Sequence, residues 1–135
     1  MLHKFRLFVV LSLGVFLPGC GGVKPVPGGT AGTLSAGGDV LAEIQVTIHQ
    51  VEGGSPRSIG FGVTDRDGWF ELVTTGARGP LWLAAGEYRC TLESAGAPIE
   101  IPKEYARAET TPLKVSLSAD GSELDLEIPT ALLVR

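Results

Sequence analysis

Two cysteines, two histidines and one methionine are all that this 135-residue chain holds of the sulfur and imidazole side chains that ligate soft metals and do thiol chemistry. That scarcity excludes a good deal. A structural zinc site takes four ligands, mostly Cys and His, at short spacing, and no C-x-x-C or H-x-H occurs. There is no G-x-S-x-G turn for a nucleophilic serine and no glycine-rich phosphate loop. The 19 glycines are scattered at turns instead. Lys and Arg are never clustered, and the formal net charge is -4. Nucleic-acid binding, which depends on a cationic surface that displaces counterions from phosphate, is therefore not expected. Long apolar runs are missing too. The longest, Leu7–Leu17, would span about 17 Å as a helix, against about 30 Å for a bilayer core.

What the N-terminus does have is order of another kind. Lys4 and Arg6 precede the short apolar run, and small Gly19 stands directly before Cys20. A basic start, a brief apolar stretch and a small residue at the cut mark an export signal. Its ending, Leu17-Pro18-Gly19-Cys20, resembles a bacterial lipobox, although Pro18 stands where that pattern usually has Ala, Ser, Thr or Val. The resemblance implies that Cys20 is acylated and becomes the first residue of an exported protein anchored to the cell envelope. Gly21 is not the Asp that often holds such proteins at the inner membrane, so the outer membrane is favoured. Cleavage by the ordinary signal peptidase and an uncleaved interfacial anchor are the alternatives, and no A-x-A-like site lies between Phe16 and Val26.

Removal of residues 1–19 takes Lys4 and Arg6 from the eleven basic residues, leaving nine against fifteen acidic ones, a net charge of -6. An anionic lipid surface repels such a domain, so the acyl chains alone are expected to touch the membrane. About 115 residues then make one domain. Cys20-Gly-Gly-Val-Lys-Pro-Val-Pro-Gly-Gly29 reads as a flexible tether, residues 30–129 as the folded domain and 130–135 as a frayed tail.

Within the domain, apolar and polar residues alternate with a period of two, the mark of half-buried strands. Ile44, Val46 and Ile48 alternate with Gln45, Thr47 and His49. Ile59, Phe61 and Val63 alternate with Gly60, Gly62 and Thr64, and the odd-numbered set is expected to face the core. Leu124, Leu126 and Ile128 alternate with Asp125 and Glu127. Seven strands result, near Thr30–Leu34, Glu43–Val51, Ile59–Asp65, Trp69–Thr75, Glu87–Ser94, Leu113–Ser118 and Glu123–Pro129. Seven short strands in about 100 residues suggest an all-β Greek-key sandwich. No stretch has a convincing helical period; the nearest, Lys103–Thr110, is short and follows Pro102.

Candidate chemistry is thin. Asp65-Arg66-Asp67-Gly68 opens like a calcium loop, but strand alternation resumes at once in Trp69-Phe70-Glu71-Leu72, and a hairpin turn is the better reading. His49 stands alone on the polar face of its strand, as a solvated surface residue. Cys90, in phase with Tyr88 and Leu92, reads as a small buried hydrophobe; a disulfide with Cys20 and a reactive thiol are the other readings. Glu123, Asp125 and Glu127 form an exposed acidic face. Trp69 and Trp82 either cap the ends of the core or stack on a ligand. No catalytic, metal-binding or cofactor-binding residue is assigned, and no cofactor is expected.

Three segments, Gly38-Asp39-Val40-Leu41, Thr64-Asp65-Arg66-Asp67-Gly68-Trp69-Phe70-Glu71-Leu72 and Ala85-Gly86-Glu87-Tyr88, are similar to the carboxypeptidase regulatory-like domain, with Val40 and Ala85 in place of two usual prolines. Ile101-Pro102-Lys103-Glu104-Tyr105 and Thr110-Thr111-Pro112-Leu113-Lys114-Val115 resemble short bacterial lipoproteins bearing one such domain. The resemblance covers residues 30–128 and implies a transthyretin-like sandwich without catalysis, since the catalytic domain that accompanies it in carboxypeptidases is missing from this sequence. Two functions follow as expectations: a structural or protein-interaction module with a protein partner in the envelope, or a carbohydrate-binding module using Trp69 and Trp82. The intact mass of the membrane-bound protein is expected to be that of a chain beginning at Cys20 plus diacylglycerol. A soluble mature form with an unmodified Cys20 would refute the lipobox reading.

Overall fold

The structure, a computed structural model, describes residues 28–119 and 123–129. The leader, Cys20 with the tether as far as Pro27, and the tail 130–135 lie outside the described residues.

Among the described residues nine strands form, in the order β1 (Ala31–Ala36), β2 (Asp39–Val40), β3 (Ile44–Glu52), β4 (Ser55–Val63), β5 (Trp69–Glu71), β6 (Val73–Thr74), β7 (Gly86–Ser94), β8 (Lys114–Leu117) and β9 (Leu124–Ile128). A single 3-10 turn, Lys103–Ala106, interrupts the β7–β8 connection. It falls in the stretch whose helical period was too short to carry an α-helix. No helix among the described residues is long and apolar enough to cross a membrane.

Local sequence explains the hairpins. Two residues with positive φ are needed for the tight turn whose twist matches that of paired strands. Gly53 and Gly54, at φ 59° and 82°, supply them between β3 and β4, as Gly37 and Gly38 do between β1 and β2. The strands then assemble into two sheets. In the first, β9 runs parallel to β1 along one edge, while β2 and β5 share the other, antiparallel. The second has the order β6-β4-β3-β7-β8 and is antiparallel throughout, with a bulge at Ile48/His49. The protein is thus all-β and sandwich-like. Its core runs between the sheets: Leu34, Phe70, Leu124, Leu126 and Ile128 from one, Ile44, Val46, Ile48, Tyr88, Cys90 and Leu92 from the other.

Two of the seven expected strands look different in detail. The stretch 69–75 changes sheets midway. Its first half, β5, pairs with β1; its second, β6, pairs with β4. At the crossing, fully buried Leu72 is held through its backbone by Gly29, Thr30 and Leu81. The Gly29 N–H donates to the Leu72 carbonyl at 2.7 Å, so sheet bonding already begins upstream of Thr30.

From Gly60 onward the phase of β4 is the reverse of the expected one, while Ile59, beside the bulge, packs against the core as expected. Gly60, Gly62 and Thr64 face inward, and Val63 is 46% exposed on the outside. The cause is crowding. A β-carbon on Gly62 would lie 2.7 Å from the Glu71 carbonyl oxygen and 3.2 Å from the Phe70 ring; one on Gly60 would collide with the Val73 carbonyl and Leu81. The sheet-switching strand lies so near that only glycine fits beneath it. β4 therefore turns Phe61 and Val63 outward, where Phe61 lies across from Thr47 and Val73.

Gly62→Val is accordingly expected to destabilise the fold by about 3 kcal/mol or more, the upper range for forced overpacking. Val63→Ser should change it by no more than about 0.5 kcal/mol, as for an ordinary surface site. Urea unfolding of the two variants tests the phase, since an inward Val63 would reverse the ranking.

Candidate functional site

The residues singled out in the sequence fall in separate places. Cys90 is fully buried in β7, and burial pushes its thiol up to about 12. A thiol held protonated at neutral pH is a poor nucleophile, which favours the inert reading. Asp65 closes a tight turn: its side-chain Oδ1 accepts the N–H of Asp67 at 2.8 Å and of Trp69 at 3.0 Å, and its carbonyl accepts the N–H of Gly68. Gly68, at φ 73°, has Leu34 O and the Val40 side chain where a β-carbon would go. The motif is thus spent on backbone hydrogen bonds. Among the described residues no three His, Cys, Asp or Glu side chains gather around a common metal position.

His49 is not simply solvated. It lies half-buried on the outer face of β3, with Nε2 2.9 Å from Thr91 Oγ1 on β7. The β7–β8 connection crosses this face, where Arg89 Nη1 donates to the Ala108 carbonyl at 3.1 Å. Desolvation lowers the His49 pKa, and the Glu109 charge opposes that shift. The two tryptophans also part company. Trp69 is half-buried on the outer face of the first sheet, opposite Thr33 on β1. Trp82 is 71% exposed on the loop between β6 and β7.

The feature that sequence reasoning did not localise lies along β8. Thr111 anchors that strand: its hydroxyl donates to the Cys90 carbonyl at 2.7 Å and accepts the Leu113 N–H at 3.2 Å. The Cys90 N–H donates to the Leu113 carbonyl, and the register continues as Arg89↔Lys114, Tyr88↔Val115, Glu87↔Ser116 and Gly86↔Leu117. In an antiparallel pair, hydrogen-bonded and non-hydrogen-bonded positions alternate. Val115 and Leu117 thus turn their backbone groups toward β7, and Lys114 and Ser116 turn theirs away. The Lys114 N–H is taken by the Pro112 carbonyl. That leaves the Lys114 C=O and both backbone groups of Ser116 on an edge with no strand partner among the described residues.

A groove of about 580 Å³ crosses the sheet from β3 over β7 to β8, lined by Gln50, Val51, residues 85–89 and residues 114–116, and so reaches this edge at its β8 end. Neither tryptophan belongs to it. Arg89 and Lys114 are directly opposed across the β7–β8 pair, with side chains on the same outer face. Like charges so placed repel, and among the described residues neither lies within ion-pair distance of a carboxylate. The period-two pattern does put both cations on one face. What it does not give is the register that makes them neighbours, because the two strands are joined by a long irregular connection.

The first sheet has an edge of its own, β9, but its outward side chains are Asp125 and Glu127. Charge of one sign on an edge strand discourages strand addition. β8 carries one cation and otherwise uncharged residues. Compared with protein-family models, with curated proteins and with solved structures, the chain matches none.

The His49 environment has a checkable sign. Because folding lowers its pKa below the ordinary 6.5, the unfolded chain takes up the proton more readily. The contribution to stability is complete above that value and is lost as the pH falls through it toward the folded pKa. The stability difference between wild type and His49→Gln should therefore shrink between pH 8 and pH 5 in urea unfolding. A difference that grows in acid would contradict the burial described.

Proposed function

We propose that this protein is a lipid-anchored component of the bacterial cell envelope, without catalytic activity, that works by docking another protein. On this reading Cys20 carries the acyl chains, and the domain is a transthyretin-like Greek-key sandwich of the carboxypeptidase regulatory-like kind. The motif from Thr64 to Leu72 supports the family assignment by its position. It supplies both the tight turn and the strand that passes from one sheet to the other.

The open edge of β8 carries the functional reading. An extended segment of a partner adds to such an edge through main-chain hydrogen bonds, while pockets beside it select side chains. Here the groove supplies the pocket, and the opposed Arg89 and Lys114 supply the preference. An acidic side chain of the incoming strand relieves their repulsion and gains a charge-assisted hydrogen bond. Tethering adds to this by confining the search to the membrane surface, which raises the effective concentration of any partner there.

Ser116→Pro tests the edge directly. Its N–H points away from β7, so proline removes the docking donor and leaves the β7–β8 ladder whole; edge strands tolerate proline in that orientation. The variant should fold with a loss of about 1 kcal/mol or less, as for a surface change. A photo-cross-linker at position 118 should trap an envelope protein in the wild type and not in Ser116→Pro. Undiminished cross-linking in the variant would refute docking at this edge, as would turnover of a defined substrate by the purified protein for the non-catalytic reading.

A further inference from the structure

Trp82 is the most exposed of the large apolar side chains among the described residues. Its exposure is imposed by its neighbours. Leu81 and Leu83 both pack against the core, so an extended backbone turns the residue between them outward. The loop has little freedom to tuck the ring away. The Thr30 N–H donates to the Leu81 carbonyl at 2.9 Å, the Leu83 N–H donates to Thr30 Oγ1 at 2.9 Å, and the Leu81 N–H donates to the Leu72 carbonyl at 3.0 Å. Nearer β7, the Tyr88 hydroxyl donates to the Ala84 carbonyl at 2.7 Å.

Those bonds also place the ring. Both residues flanking Trp82 are held by Thr30, which lies two positions after Gly28, where the described domain begins. Upstream of it residues 21–27 lie between Gly28 and Cys20, eight residue steps in all. Eight residues reach at most about 29 Å when fully extended. The indole therefore lies beside Gly28–Thr30, the N-terminal end of the described residues.

We propose, against the expectation from net charge that the acyl chains alone touch the lipid, that Trp82 is a second membrane contact. Its indole enters the headgroup region of the bilayer that holds the acyl chains, and so sets which side of the sandwich faces the lipid. The proposal rests on the acylation of Cys20 put forward above. Tryptophan is the residue whose apolar ring and single N–H donor match a membrane–water interface. The contact takes zwitterionic lipid and needs no anionic headgroup, in keeping with the acidic balance of the chain. Exposed Arg78 on the same loop comes close to the headgroups in this orientation and serves as a reporter.

The test uses the full acylated protein with Trp69→Phe, so that Trp82 is the sole tryptophan, reconstituted on phosphatidylcholine vesicles. Its emission should shift to shorter wavelength on the vesicles and be quenched by lipids brominated near the headgroup. Trypsin cleavage after Arg78 should slow on vesicles, and Trp82→Ala should restore it while the protein still floats with the lipid. Flotation without shift, quenching or protection would overturn the contact and leave the anchor standing. Failure to float would overturn both. An emission response to soluble glycan fragments with none to vesicles would overturn the contact in favour of sugar binding.

Discussion

The close stacking of the strand from Phe70 to Val73 on a glycine-lined face holds the two sheets in their relation. Phe70 reaches inward from the first sheet, where a β-carbon on Gly32 of β1 would meet its ring at 2.6 Å, and its other side lies over Gly62 of the second sheet. The ring thus occupies room that glycines on both sheets have vacated. Once it is there, the strand has no course except to step across at Leu72 and continue against β4. Much follows from this single packing decision. It sends Phe61 and Val63 outward, and it places the loop that carries Leu81, Trp82 and Leu83 beside Thr30.

The strands themselves were legible in the sequence because alternation is a direct imprint of a half-buried sheet. β3, β7 and β9 fall where their patterns put them, and Cys90 keeps the inward phase that Tyr88 and Leu92 suggested. β4 was misread for a physical reason. Its pattern of large apolar residues and glycines assigns the large ones to the core under any rule based on transfer from water. The structure obeys the opposite constraint, steric room, which depends on a strand elsewhere in the chain. The switch of sheets at Leu72 was hidden likewise, since a run of strand-forming residues carries no mark of a change of partner.

Site residues divide along the same line. Local chemistry read correctly: the Asp65 carboxylate caps its own turn, as aspartate in such a turn tends to do. Non-local chemistry did not. His49 looked like a free surface group because nothing near it in sequence covers it, whereas Thr91 and the β7–β8 connection do so in space. The opposition of Arg89 and Lys114 and the open rail of β8 depend on a register fixed by Thr111. A residue whose only visible role is to dock one strand on another thereby determines which backbone groups remain unpaired.

The parallel pairing of β1 with β9 has a consequence for how the protein comes into being. Gly32 meets Leu124 and Ala36 meets Ile128, so the first long strand of the domain waits for the last one, some 92 residues later in the chain. A ladder closed across so long a stretch forms late, because the entropy of so large a loop is lost before its contacts can repay it. Until β9 is in place, Leu34 and Phe70 lack the wall that Leu124, Leu126 and Ile128 supply. Folding of this domain therefore waits on β9. Until then the edge of β1 that β9 covers stands unpaired, with its backbone donors and acceptors open to water.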